Sequence, residues 1–142
     1  MRDFDDALPI AMLRAREALM VRFRPMLADH GLTEQQWRVI RAIHHDEAQD
    51  ATGLADVCCI LLPSLSRMLK SLEADGILER QKQSSDGRRQ QIVLTQKGHD
   101  IFRAVAPHSE AIYADIEAQF GADAMGKLLA ALKDLQRALG DR

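Results

Sequence analysis

The stretch from residue 62 to residue 98 constrains the fold most strongly, because an amphipathic helix is followed at once by a hairpin. Pro63 suits the first turn of that helix, and Gly76 suits its end. Two short apolar runs, 77–78 and 92–94, then flank a polar turn. The apolar side of the helix repeats in three- and four-residue steps, at Leu65, Met68, Leu69 and Leu72. This order of elements predicts a winged helix-turn-helix.

A shorter helix at 52–58 is predicted to come first, with Leu54, Ala55 and Val57 pointing inward. The outward face of the longer helix is polar and basic, and such a face can hydrogen-bond base edges and hold phosphates. Arginines at the tip of the turn, 84–89, suit a narrow and electronegative minor groove. The predicted DNA contacts are Ser64, Ser66, Arg67 and Lys70 on the helix and Arg88 and Arg89 in the turn.

The distribution of charge supports a DNA-facing segment within an acidic chain. Residues 60–98 hold seven Lys or Arg and four Asp or Glu, whereas the whole chain has a net charge of −2. Because phosphate neutralisation supplies much of the affinity for DNA, this asymmetry favours a nucleic acid as partner. With 142 residues, of which 46% are hydrophobic, the chain is predicted to form one domain, 1–142.

Long amphipathic helices are predicted on both sides, at 4–30 and within 99–140, and a capping box of Thr33 and Gln36 starts the helix between. The long apolar stripes exceed what one small fold buries, so we expect them to form a homodimer interface. The predicted fold class is mainly α with a small β component (α+β). It combines a winged helix-turn-helix lobe at 32–98 with a dimerisation region formed by the N- and C-terminal helices.

Arg16 breaks the apolar pattern of the first helix, because helical spacing places it beside Met12, Met20 and Phe23. A guanidinium in apolar surroundings needs an anionic partner, which is either an internal carboxylate or a bound acid, unless the side chain reaches water. A bound aromatic acid would have Arg16 for its carboxylate and apolar walls for its ring. The predicted ligand-binding residues are Arg16, Met12, Met20, Phe23 and Trp37.

Cys58 and Cys59 are adjacent, so they form no ordinary structural disulfide and fit a reducing, cytoplasmic compartment. No run of about 18 apolar residues predicts a membrane span. No Gly-rich phosphate loop, metal-ligand motif or nucleophile–base spacing is visible, so we expect no enzyme activity, catalytic residue, metal or cofactor. A thiol sensor stays open as an alternative, although the two cysteines have no adjacent Lys or Arg and small buried hydrophobes are the favoured interpretation.

Two motifs connect the chain with a known family. Asp86-x-Arg88, followed by Leu94-Thr95-x-x-Gly98, resembles the D-x-R…L-T-x-x-G signature of the multiple-antibiotic-resistance regulator (MarR) family, and the helix order matches over essentially the whole chain. Further segments resemble the branch of that family that represses the homoprotocatechuate (4-hydroxyphenylacetate) degradation operon, namely residues 15–18, 23–25, 32–38 and 59–65.

The resemblance implies an obligate homodimer on a pseudo-palindromic operator of double-stranded DNA. It implies release when an aromatic carboxylic acid binds between the dimerisation helices and the DNA-binding lobe, and it implies that Asp86 orients the wing arginine Arg88. We therefore expect a ligand-released repressor of an aromatic-acid catabolic operon. A thiol-redox-responsive repressor that uses Cys58 and Cys59 is the alternative, and a winged helix that docks another protein is a further one.

Overall fold

The computed structural model describes residues 1–47, 49–82 and 90–140. These residues form six α-helices and one two-stranded antiparallel sheet, so the predicted fold class is confirmed. After a 3-10 turn at Phe4–Asp6, the elements in chain order are α1 (Leu8–Asp29), α2 (Glu34–His45), α3 (Ala51–Cys58), α4 (Leu62–Ala74), β1 (Leu78–Lys82), β2 (Gln90–Leu94), α5 (Gln96–Phe120) and α6 (Ala122–Ala138).

The chain divides into two compact units, residues 1–106 and 107–142. The boundary falls at Pro107 inside α5, and the helix is continuous across it. Because proline has no amide hydrogen, the helix lacks one backbone hydrogen bond at this point. The predicted DNA-binding lobe, 32–98, lies within the first unit, whereas its separation from the dimerisation helices stays a prediction.

Local signals end and start the helices as predicted. Thr33 Oγ1 accepts the amide N–H of Gln36 at 3.1 Å, and the Gln36 side chain accepts the amide N–H of Thr33 at 3.0 Å, which completes the capping box of α2. Gly76 follows α4 with a φ of +74°, a left-handed conformation that favours glycine. Residues close to each terminus in sequence therefore determine both of these helix ends.

Helices α3 and α4 form the helix-turn-helix, and their axes turn through 111°. One prediction for α3 is wrong, because Val57 is exposed and Cys58 takes an inward position instead. The reason is spacing: Cys58 is one helical turn from the fully buried Leu54 and shares its face, whereas Val57 points away. The buried face of α4 consists of Leu65, Leu69 and Leu72.

No single helix within the described ranges has the length and apolar composition needed to cross a membrane. Helices α3 and α4 reach such a composition only when they are taken together as a bent pair. Their buried leucines belong to the core of the helix-turn-helix, which accounts for that composition.

The Leu94-Thr95-x-x-Gly98 motif joins the end of α4 to the start of α5. The amide of Thr95 donates to the Ile77 carbonyl at 3.0 Å, and its hydroxyl donates to the Gly76 carbonyl at 2.6 Å. The same hydroxyl accepts the amide N–H of Gly98 at 3.1 Å, which caps α5. A Cβ on Gly98 would lie 2.3 Å from the Ile77 carbonyl oxygen, so the motif needs a glycine for close approach of two backbones.

Helix α1 and, separately, helix α6 leave much apolar surface exposed. Among the described residues, α1 buries only Phe23 and Leu27, and α6 buries none. Each helix therefore carries more apolar surface than its own unit covers. The exposed large side chains are Leu8, Met12, Leu13, Leu19 and Val21 on α1 and Leu128 and Leu129 on α6.

Candidate functional site

The outer face of α4 presents the predicted DNA contacts of the helix. Arg67 and Lys70 are exposed, and Ser64 and Ser66 are half-buried. Arg67 Nη2 donates to Ser64 Oγ at 3.4 Å, which holds the guanidinium near the first turn. Because the opposite face is packed into the core through its leucines, this polar face has a fixed orientation. Outside the described residues lie the predicted contacts Asp86, Arg88 and Arg89.

Arg16 pairs with an internal carboxylate. Its Nη2 lies 2.5 Å from Glu34 Oε2, and the Arg16 side chain is 45% exposed whereas that of Glu34 is 12% exposed. The sequence left open an internal carboxylate, a bound acid or contact with water as the surroundings of Arg16. The structure contains the internal ion pair, and Arg16 is still accessible from solvent. Glu34 is 18 positions away on another helix, so no local spacing pointed to it.

Three arginines share the carboxylate of Glu34. Arg24 Nε and Nη2 donate to Glu34 Oε1 at 3.1 and 3.0 Å, and Arg38 Nη2 lies 3.8 Å from Glu34 Oε2. Arg24 also donates to both carboxylate oxygens of Glu17, at 2.5 and 2.8 Å. We call Arg16, Glu17, Arg24, Glu34 and Arg38 the charge cluster. Four of them were missed in the sequence, where the i,i+4 spacing of Glu34 and Arg38 was the available signal.

The hydrogen bonds of the charge cluster favour the ionised carboxylates. Burial alone would raise the pKa of Glu34, but hydrogen bonds from Arg16 and Arg24 outweigh it and hold this pKa below its ordinary value. The hydrogen bond from Arg24 likewise lowers the pKa of Glu17. The pKa of Arg24 is raised in return by its hydrogen bonds to Glu17 and Glu34. The cluster is therefore ionised at neutral pH.

Glu34→Gln is expected to lower the free energy of unfolding by about 1 to 2 kcal/mol at pH 7, because it removes charge-assisted hydrogen bonds to two arginines. The folded pKa of Glu34 lies below the unfolded one, so its contribution is fully present above the unfolded pKa. That contribution disappears as the pH falls through the folded pKa. Urea unfolding at a series of pH values should therefore show the two proteins converging below about pH 4.

Asp134→Asn is the matched control for this prediction. It removes one carboxylate from an exposed ion pair with Arg137, so we expect a change within about 0.5 kcal/mol. A difference between wild type and Glu34→Gln that stays constant from pH 7 to pH 3 would contradict the role given to the Glu34 carboxylate.

Arg38 links the charge cluster to the helix-turn-helix. Its Nη1 donates at 3.0 Å to the carbonyl of Cys58, the last residue of α3. Helix geometry leaves such a carbonyl without a partner inside the helix, so Arg38 supplies one. Cys59 then turns the chain with a φ of +55°, and α4 begins three residues later. A displacement of Arg38 would therefore act on the turn that precedes α4.

The apolar residues predicted to bind a ligand differ in accessibility. Met12 is exposed and Met20 is half-buried on α1, one turn before and one turn after Arg16. Phe23 and Trp37 are buried in the core, where the Trp37 ring stacks on Phe102 with 5.6 Å between centroids. Phe102 in turn stacks on His44, with 3.7 Å between centroids. Only the two methionines of this set are therefore accessible beside Arg16.

The two adjacent cysteines lie in different environments. Cys58 is buried, but Cys59 is exposed, so the interpretation of both cysteines as small buried hydrophobes is wrong for Cys59. Burial raises the pKa of the Cys58 thiol, which lowers the thiolate fraction that reacts with oxidants. This environment weighs against Cys58 as part of a thiol sensor. Among the residues described, no group of three or more His, Cys, Asp or Glu could hold a metal ion.

The chain is similar to known proteins over most of its length. Residues 32–89 match the MarR family. The chain is 42% identical over 129 residues to the homoprotocatechuate degradative operon repressor of Escherichia coli, which covers 91% of this chain and 87% of that protein. The crystal structure of NadR in complex with 4-hydroxyphenylacetate has a TM-score of 0.84 and 36% identity, covering 95% of this chain and 96% of that one. The repressor CouR bound to a 23-mer DNA duplex has a TM-score of 0.83 and 25% identity, covering 95% and 97%.

Proposed function

This chain belongs to the MarR family, and we propose that it is a DNA-binding repressor of a homoprotocatechuate-type catabolic operon that a small aromatic carboxylic acid releases from its operator. The observation that carries the proposal is the geometry of the charge cluster. The accessible Arg16 shares the carboxylate of Glu34 with Arg38, and Arg38 also binds the carbonyl at the end of α3. An acid that binds Arg16 thus has a physical connection to the helix-turn-helix.

Duplex DNA is the first partner in this proposal. The polar and basic face of α4 enters the major groove, where Ser64, Ser66, Arg67 and Lys70 contact base edges and phosphates. The similarity to CouR, which was solved with a DNA duplex, supports this arrangement. In the wing, the proposed minor-groove and backbone contacts are Arg88, steadied by Asp86, and Arg89.

A second copy of the chain is the second partner. The exposed apolar side chains of α1 and those of α6 each support burial against another protomer, because contiguous apolar surface of this kind marks protein interfaces. A twofold-symmetric dimer fits a pseudo-palindromic operator, with half-sites spaced about one helical turn, roughly 34 Å, apart.

The third partner is the aromatic acid. Its carboxylate binds Arg16 in place of Glu34 Oε2, while Glu34 Oε1 keeps its hydrogen bonds from Arg24. Its ring packs against the accessible Met12 and Met20, whereas Phe23 and Trp37, the other residues predicted for this site, are buried. Relatives named for homoprotocatechuate degradation and solved with 4-hydroxyphenylacetate support this class of ligand.

Release follows from coupling between this acid and α4. When Arg16 binds the acid, Glu34 Oε2 is left to Arg38, which lies 3.8 Å away. A stronger Glu34–Arg38 pair draws Arg38 from the Cys58 carbonyl and changes the turn before α4. The acid and the operator then favour different conformations, so the binding of one weakens the binding of the other.

Homoprotocatechuate should release the wild-type protein from a fluorescent operator duplex, and Arg16→Ala should need at least about tenfold more acid for half-release. The reason is that a charge-assisted contact to the ligand carboxylate is worth about 1.5 to 3 kcal/mol. Titrations followed by fluorescence anisotropy measure both quantities. The same titration with 4-methylcatechol, which lacks the carboxylate, should show no release by either protein.

Arg14→Ala is the control variant, because Arg14 lies on the same helix and forms an exposed ion pair with Asp5. It should respond to the acid as the wild type does. Unchanged release of Arg16→Ala would contradict the assignment of Arg16, and failure of every phenolic acid to release the wild type would contradict the ligand class.

A further inference from the structure

The large exposed apolar side chains of the described residues fall into two groups. One group lies in residues 1–21 and 113–139, the segments that include α1, the end of α5 and α6. The other lies in the helix-turn-helix and consists of Val57, Leu61 and Leu62, which are 59%, 79% and 43% exposed. This second group lies at the end of α3 and the start of α4, away from the apolar stripes of α1 and α6 in sequence.

The side chain of Leu61 contributes little to the stability of the fold. It occupies the N-cap position of α4, and its side chain makes no capping hydrogen bond. Ser, Thr, Asp and Asn are preferred at such a position because their side chains satisfy an amide of the first turn. Leucine here neither caps the helix nor packs into the core. Its side chain is therefore available to a partner outside the chain.

The surroundings of Leu61 indicate the chemistry of that partner. Leu61 immediately precedes the helix whose outer face carries Ser64, Arg67 and Lys70, and in a helix-turn-helix the N-terminal residues of this helix contact base edges. In the major groove, the apolar group that a base edge presents is the 5-methyl of thymine. A neighbouring basic face attracts DNA rather than an apolar protein surface.

We infer that Leu61 is a specificity-determining residue that packs on a thymine methyl group in each operator half-site. The inference rests on the proposed DNA-binding function and adds an apolar contact to the polar ones assigned above. It makes the preference for thymine over cytosine at one position depend on a side chain that forms no hydrogen bond with DNA. Val57 and Leu62 are the other large exposed apolar side chains of this segment.

The test replaces thymine by deoxyuridine, because this change removes the 5-methyl and leaves the base pair intact. The operator is first located by footprinting on DNA upstream of the gene, and duplexes are then made with one dT→dU change at each thymine of a half-site. For the wild type, the dT→dU replacement at one position should lower the affinity for the operator about fourfold, the value expected for one buried methyl group. For Leu61→Ala, the same replacement should change the affinity less than twofold.

Every other thymine of the half-site serves as an internal control, because dU there should affect the wild type and Leu61→Ala equally. The inference is overturned if no dT→dU position distinguishes the wild type from Leu61→Ala. It is also overturned if Leu61→Ala lowers the affinity for operator and for non-specific DNA by the same factor. A protein without any operator contradicts the proposed function itself, and that outcome is visible in the footprint before any dU duplex is made. Thermal unfolding of Leu61→Ala should match the wild type within about 2 °C, since the side chain is exposed.

Discussion

Gly98→Ala is expected to lower the free energy of unfolding by about 3 kcal/mol, the largest effect among the substitutions considered. The added Cβ would lie 2.3 Å from the Ile77 carbonyl oxygen and 3.1 Å from Leu94 Cδ2. The oxygen belongs to a backbone that Thr95 holds through its amide, so the contact cannot be relieved by rotating a side chain. Insertion of one carbon into such a packed position costs about 1 to 3 kcal/mol and occasionally more. Urea unfolding followed by circular dichroism measures the change.

Gly126→Ala is the matched control for this prediction. Gly126 lies inside α6, and a Cβ there would have no described atom within 4 Å apart from its chain neighbours and the nearby backbone of its own helix. Because alanine favours the helix more than glycine does, the free energy of unfolding of this variant should be about 0.5 to 1 kcal/mol higher than that of the wild type. Equal stability of Gly98→Ala and the wild type would show that the close approach of α5 to Ile77 is not required.

Arg67→Ala is expected to weaken operator binding by about 10- to 100-fold, because an arginine that contacts a base edge in the major groove contributes about 1 to 3 kcal/mol of discrimination. Arg67 is exposed on α4, and Ser64 Oγ orients its guanidinium. Anisotropy titrations with operator and unrelated duplexes, each at several salt concentrations, measure the affinity and the specificity ratio. Loss of a base contact lowers that ratio, whereas loss of a phosphate contact weakens both duplexes alike.

Arg103→Ala controls for the loss of one positive charge. Arg103 lies on α5, is exposed and pairs with Asp100 at 3.3 Å. It should bind the operator within about twofold of the wild type, because an isolated surface charge contributes little. Operator binding by Arg67→Ala that equals that of Arg103→Ala would contradict the assignment of α4 as the reading helix.

Elements governed by neighbours in the sequence could be predicted from the residues. The capping box of Thr33 and Gln36 and the left-handed Gly76 involve residues at most three positions from the helix end that they determine. The buried leucines of α4 follow from helical periodicity. Even here, the pattern failed for Val57, because the short helix α3 offers several apolar faces and only packing selects among them.

The sequence by itself determined the helix-turn-helix, the hairpin and the motif that joins them, because periodicity, caps and turn residues act within a few positions. Only the tertiary structure decided what Arg16 binds. Its partner Glu34 is 18 positions away, and the contact of Arg38 with the Cys58 carbonyl spans 20. Ionic partners at such separations depend on how helices pack, and that packing is set by buried apolar side chains rather than by the charges themselves. The sequence thus determined which helix carries the proposed DNA-binding face, and the packing of α1, α2 and α3 decided which charges connect to it.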